Sequence, residues 1–190
     1  MVADIHLSKS IELIKQLTIK LYKRNPCELK SGMTPQLRIK QIFTCPVNKS
    51  FKEINFKQRI EAIKLCFDQD FKGDRIFALI SGLYSMILNS YGNRCEFFLL
   101  NQLDEQKLYN SARNIEILVW RIRNKHKKNN KLFILTDEIN ENITNLSFER
   151  ILGKLISIQD IMALIIADKN NRIINKIIFS TTTAFLPISF

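Results

Sequence analysis

Glycine and proline are scarce in this chain, and their scarcity limits the folds open to it. Only five Gly and four Pro occur in 190 residues, and three of the prolines lie between Pro26 and Pro46. Short strands joined by tight turns need many such residues, so their rarity, with abundant Leu, Ile, Lys and Glu, favours long helices. We therefore expect an all-α fold forming one domain over residues 1–190, with an irregular Pro- and Cys-containing segment near residues 25–50.

Apolar residues recur every three or four positions, which is the spacing of amphipathic helices. We expect about six to seven helices in an orthogonal or bundle-like array. Residues 132–139 fit either a short strand or a helix, and we favour a helix because no partner strand is evident. The other expected helices cover residues 7–24, 55–69, 74–91, 104 to about 122, a long run beginning near Ser147, and 173–184, and the irregular segment has room for a short helix at 35–43.

The helix that begins at Asp104 has the clearest apolar stripe, and we expect it to be central. Trp120 lies beside that stripe and would widen the buried face. Gly82 falls in the middle of the helix at 74–91, where an interior Gly costs about 1 kcal/mol relative to Ala. Its presence indicates close approach of a neighbouring helix. The stripe itself consists of Leu108, Ala112, Ile115, Val119 and Ile122.

Positive charge is unevenly distributed in the sequence. The net charge is +11, and residues 1–95 hold 16 basic and 8 acidic side chains, against 13 and 10 in residues 96–190. The stretch 121–131 is typical of a helix end that passes into a solvated loop, and it is the candidate surface for a nucleic acid or anionic lipid. Its basic residues are Arg121, Arg123, Lys125, Lys127, Lys128 and Lys131. An AT-rich genome, indicated by the abundant Ile, Lys and Asn, is the alternative explanation of the basicity.

A second group of charged residues lies on two of the expected helices. Opposite charges that meet across a helix interface form either a polar pocket or an ordinary ion pair, and the sequence does not separate the two. The members are Arg113, Glu116, Glu149, Arg150 and Asp160.

The four cysteines are Cys27, Cys45, Cys66 and Cys95, without a C-x-x-C pair, so a zinc site is not expected. Cys27 and Cys45 flank the Pro-rich segment and are the candidate disulfide. Cys66 fits an apolar helix face, where a free thiol packs as a small hydrophobe.

Recognisable catalytic motifs are missing from the sequence. It has no P-loop, no G-x-G-x-x-G, no G-x-S-x-G and no H-E-x-x-H. We therefore expect no catalytic residue, no cofactor and no metal ligand.

The longest apolar stretch, 155–167, is interrupted by polar residues and is too short to span a bilayer. Residues 1–10 lack the pattern of a signal peptide.

Three stretches resemble an uncharacterised group of proteobacterial proteins that are often predicted to be exported or lipid-anchored: FALISGLYSMI (77–87), LDEQKLYNSARNIEILVWRI (103–122) and residues 145–187. The resemblance implies a helical domain outside the cytoplasm, periplasmic or attached to the envelope, and makes disulfides more plausible. The sequence lacks the signal segment and lipid-attachment cysteine of that group. Without removal of an upstream signal segment, the expected location is the cytoplasm.

Three functions remain open from the sequence. The first is a non-enzymatic, envelope-associated module that binds a protein or an envelope component, which the apolar tail 185–190 would fit as an interface. The second is a cytosolic helical adaptor or nucleic-acid-binding protein that uses the basic surface. The third is an enzyme with an unrecognised polar pocket near Arg113 and Glu116.

Overall fold

The fold is helical, as expected from the scarcity of turn residues. The structure is a computed structural model that describes residues 2–30, 32–44, 50–94, 103–139 and 144–169. The described part contains six α-helices: α1 (Val2–Arg24), α2 (Pro35–Ile42), α3 (Arg59–Cys66), α4 (Arg75–Ser90), α5 (Glu105–Asn124) and α6 (Ser147–Lys169). Two strands of two residues each, β1 (Glu138–Ile139) and β2 (Thr144–Asn145), pair antiparallel. The expected helix at 173–184 and the tail 185–190 lie outside the described residues.

Helices α1, α4, α5 and α6 form a four-helix bundle. Each packs against two of the others, in the order α1, α4, α5, α6 and back to α1. Lys20 near the end of α1 bonds Ser147 at the start of α6, and Arg123 near the end of α5 pairs with Glu149 in the first turn of α6. Successive helices of the bundle therefore run in opposite directions, and α1 and α5 end where α4 and α6 begin.

Helix α4 is the most enclosed element, because 14 of its 16 residues are buried. The short helices α2 and α3 lie in the α1–α4 connection and pack against α4. Our expectation that the helix beginning at Asp104 is central is therefore corrected: α5 buries one face, whereas α4 is covered on nearly every side. Residues of the expected α5 stripe are nevertheless in the core, with Leu108 and Ile115 fully buried.

Side-chain caps define the start of three helices, as the sequence pattern indicated for two of them. The carboxylate of Asp74 accepts a hydrogen bond from the Phe77 N–H at 2.8 Å, and Asp104 accepts one from Gln106 at 2.9 Å. Thr34 caps α2 in the same way. Each cap satisfies an N–H that has no partner within its own helix.

Gly82 shows the close helix approach that its position predicts. A Cβ at this site would lie 2.6 Å from the carbonyl oxygen of Arg59 and 2.8 Å from the backbone nitrogen of Ile63. Both atoms belong to α3. The backbone of α3 therefore packs directly on α4 where α4 carries no side chain.

Three local expectations are wrong. The helix expected over 55–69 does not begin at Asn55, which has φ 52° after a 3-10 turn at Lys52–Ile54; α3 begins four residues later. Residues 132–139 are not helical, because Leu132 forms a β-bridge with His126 and β1 begins at Glu138. Trp120 is 50% exposed, since it lies roughly 140° around α5 from Ile115, outside the buried face.

Candidate functional site

Two basic segments lie at the same end of the bundle: the last turns of α1, with Lys20, Lys23 and Arg24, and the stretch 121–131, whose part after α5 we call the basic loop. Asn25, immediately after α1, donates through its side-chain amide to the Leu135 carbonyl at 2.9 Å, and its amide oxygen accepts from the Leu135 N–H at 2.8 Å. The chain that follows the basic loop is thereby attached to the end of α1. We call this end of the bundle, where α1 and α5 end and α6 begins, the basic end.

An open recess of about 210 Å³ lies between the end of α1 and the start of α6. The Lys20 ammonium donates to the Ser147 hydroxyl at 2.8 Å and lies 5.6 Å from the centre of the Phe148 ring. Arg24 forms an ion pair with Glu138. The recess is lined by Lys20, Lys23, Arg24, Asn145, Ser147 and Phe148.

Lys23 is an exposed cation of this recess that has no polar partner among the described residues. Within the described ranges it makes no hydrogen bond or ion pair, whereas Lys20 and Arg24 each have a partner. The first N–H groups of α6 are already capped, since Asn145 accepts from Ser147 and Asp137 accepts from Phe148, both at 3.1 Å. An anion in the recess would therefore meet lysine and arginine side chains, and not the helix terminus.

The basic loop is an ordered turn at the same end of the bundle as the recess. Lys127 N–H donates to the Lys131 carbonyl at 2.7 Å, and Asn130 closes the turn with φ 60°. Gln69, after α3, holds the loop from outside: its amide donates to the His126 carbonyl and accepts from the Lys128 N–H, at 3.3 and 3.2 Å. These backbone bonds leave the side chains of Lys128 and Lys131 exposed.

Arg121 does not belong to the exposed surface of the loop. It is only 3% exposed, on the inner side of α5, and its Nε has no hydrogen-bond partner. Burial lowers the pKa of its guanidinium. Of the six cations expected there, Arg123, Lys128 and Lys131 are exposed, Lys125 and Lys127 are partly exposed, and Arg121 is inside.

The charged group expected across two helices is only partly assembled. Arg113 pairs with Glu116 at 2.9 Å and, across the α5–α6 interface, with Asp160 at 2.6 Å. Burial raises the pKa of Glu116, Arg113 opposes that rise, and the nearby Asp160 adds to it. Glu149 pairs instead with Arg123 at 3.5 Å, and Arg150 is exposed and stands apart. The arrangement is an ion-pair group on the outside of the bundle.

A buried charged cluster that sequence reasoning missed joins the irregular segment to α4. Arg38 on α2 donates to both carboxylate oxygens of Glu53, and its Nε lies 3.2 Å from Asp74 Oδ2. The Tyr22 hydroxyl donates to the same Asp74 oxygen at 2.8 Å. Burial raises the pKa of Asp74, and the hydrogen bonds from Arg38 lower the pKa of Glu53. The charges are mutually paired, so this cluster acts as a structural clamp.

A second missed feature is a polar layer inside the bundle. Gln159 on α6 is fully buried, and its amide oxygen lies 2.9 Å from the Ser111 hydroxyl on α5 and 3.2 Å from the Ser90 hydroxyl on α4. Its amide nitrogen donates to Ser10 on α1 at 3.4 Å. We call these four residues the glutamine layer. The signal in the sequence was a Gln between Leu155 and Met162 on the apolar stripe of α6.

Two of the four cysteines lie within the described residues. Cys27 is exposed, and Cys66 is fully buried, which confirms its expected packing and raises the pKa of its thiol. Cys45, the expected partner of Cys27, and Cys95 lie outside the described residues.

The described residues contain no group of three His, Cys, Asp or Glu side chains that could hold a metal ion. None of the helices within the same ranges is long and apolar enough to cross a bilayer.

No protein-family model, curated protein or solved structure matches this chain. The resemblance to a proteobacterial envelope group stays an expectation. The geometry of the basic end is therefore the basis for the proposal that follows.

Proposed function

We propose that this protein is a helical binding module that holds a polyanion at its basic end, without a covalent step. The observation that carries the proposal is the meeting of two basic segments about 100 residues apart in the chain, connected by the paired hydrogen bonds between Asn25 and Leu135. The proposal keeps the binding role expected from the sequence and takes its ligand class from the basic surface. The envelope location implied by the resemblance is a separate proposal that this one does not need.

The cations of the basic end suit an extended phosphate chain better than a single small anion. Lys23 lies at the recess, whereas Lys128 and Lys131 lie on the basic loop at the same end of the bundle. A polymer can contact both groups at once and release the counterions condensed on it. Glu138 and Glu149 are each paired with an arginine, which reduces their repulsion of an approaching anion.

A salt series with a labelled single-stranded oligonucleotide tests the proposal. We expect affinity to fall steeply with salt, with a log–log slope of about −0.7 for each phosphate contact. The double variant Lys23→Ala with Lys128→Ala removes one cation from each segment, so its slope should be shallower by about 1.4.

Lys57→Ala is the matched control. It is an exposed lysine just before α3, and α3 begins beside the far end of α4, where the Arg59 N–H bonds Ser85. Its removal should leave the slope unchanged. Affinity that does not depend on salt, or an equal effect of Lys57→Ala and of either basic-end lysine, would contradict the proposal.

A further inference from the structure

Trp120 is an exposed aromatic side chain next to the basic end. It lies one turn before the end of α5, where the Asn124 side chain donates to its carbonyl oxygen at 2.7 Å, and half of its surface is open to solvent. With a rise of 1.5 Å per residue, it lies about 7.5 Å along the helix from Lys125, the first residue after α5. A large flat ring and the basic loop are therefore within the span of one short ligand.

The neighbours of Trp120 along α5 are mostly polar. Three of the four residues one turn away on α5 are the exposed Glu116, Arg123 and Asn124. A helix that inserts into a membrane surface presents a continuous apolar face, and a protein interface centres on a contiguous apolar patch. A single aromatic among charges is instead the arrangement that binds unpaired bases, because cations track the backbone while the ring stacks on a base.

We propose that Trp120 stacks on an unpaired base, and that the polyanion held at the basic end is single-stranded nucleic acid. The inference rests on the proposed function and adds the ligand class to it. A base presents a flat π-face to Trp120 while its flanking phosphates meet the basic loop. An inorganic polyphosphate offers the same charges without the base, so the two ligands separate stacking from charge.

Trp120 is the only tryptophan, so fluorescence reports on this one ring. Titration of the whole protein with an unlabelled oligonucleotide should quench the emission. Long-chain polyphosphate should compete for binding with little quenching. Equal quenching by both ligands would overturn the stacking inference, and stronger binding to vesicles of anionic lipid, with a blue-shifted emission, would replace it with a membrane role.

The variant Trp120→Ala gives a second measurement, read by the anisotropy of a labelled oligonucleotide. Loss of one stacked base should weaken binding about 5- to 150-fold. The salt slope should stay at the wild-type value, because no phosphate contact is removed. Phe56→Ala is the control: Phe56 is 62% exposed and lies just before α3, which lines neither the recess nor the basic loop. It should bind like the wild type.

The outcomes separate the two proposals. If the wild type binds the oligonucleotide and Trp120→Ala binds equally well, the stacking inference fails while the polyanion proposal stands. If the wild type binds neither the oligonucleotide nor polyphosphate, the polyanion proposal fails and the stacking inference fails with it. Circular dichroism of Trp120→Ala verifies that the variant is folded before its affinity is interpreted.

Discussion

Replacing either of two helix-interior glycines by alanine should have opposite effects on stability. Alanine gains about 1 kcal/mol over glycine from helix propensity alone. At Gly153 on α6, an added Cβ meets no atom within 4 Å, so that gain is realised. At Gly82, the same Cβ would lie 2.6 Å from the carbonyl oxygen of Arg59 and 2.8 Å from the nitrogen of Ile63.

The close contact at Gly82 determines whether alanine stabilises or destabilises the fold at this position. Its closest neighbour is a backbone atom of α3, which cannot rotate away as a side chain does, so α3 must move off α4. Overpacking in a core costs about 1–3 kcal/mol, and the short contact places this site at the upper end of that range. After the propensity gain is subtracted, Gly82→Ala should destabilise the fold by about 1–2 kcal/mol.

Thermal unfolding followed by circular dichroism measures both variants. At about 2–4 °C per kcal/mol for a chain of this size, Gly82→Ala should lower Tm by about 2–8 °C and Gly153→Ala should raise it by about 2–4 °C. A Gly82→Ala protein as stable as the wild type would refute the close packing of α3 on α4. Destabilisation by Gly153→Ala would show that something packs against α6 there.

Two further predictions concern buried and partly buried charges. Arg121→Met should raise the free energy of unfolding by about 1–3 kcal/mol in urea denaturation, because Arg121 is 3% exposed and its Nε has no hydrogen-bond partner. A loss of stability in this variant would show that the guanidinium has a partner. In the wild type, the ion pair of Glu53 stabilises the fold above the ordinary pKa of 4.5, and this stabilisation is lost as the pH falls through the lower pKa of the folded state. Glu53→Gln removes that stabilisation. The difference in unfolding free energy between the variant and the wild type should therefore disappear on acidification. A gap that is constant with pH would contradict the ion pair with Arg38.

The sequence predicted best where the determining interactions are local. The caps at Asp74 and Asp104 act on N–H groups two or three residues away, so their composition and spacing suffice to find the helix starts. The close helix approach predicted at Gly82 is confirmed, although the other interior helix glycine, Gly153, has no neighbouring atom at that distance. The Pro-rich segment was recognised as irregular for the same kind of local reason.

Two of the failures depend on contacts distant in sequence, and one depends on helix geometry. Residues 132–139 are apolar enough for a helix, but Asn25 bonds both backbone groups of Leu135 from 110 residues away and holds the chain extended. Arg38 is charged and would be placed on the surface by composition, yet Glu53 and Asp74 compensate its burial. Trp120 was expected to widen the buried face because it lies beside the apolar stripe, although its angular position on α5 is outside that face.

The glutamine layer aligns the helices whose ends form the basic end. An apolar replacement of matching shape at such a position is often neutral or stabilising, so stability alone does not explain a buried Gln159. Its amide oxygen reaches Ser90 and Ser111 only in one axial alignment, since a shift of one turn moves a residue by 5.4 Å and breaks both contacts. The amide nitrogen of Gln159 donates to Ser10 on α1, and this contact aligns α1 with α6, so that the end of α1 lies level with the start of α6, where Lys20 bonds Ser147 and the recess forms. The buried polar layer thus fixes the register on which the arrangement of the surface cations depends.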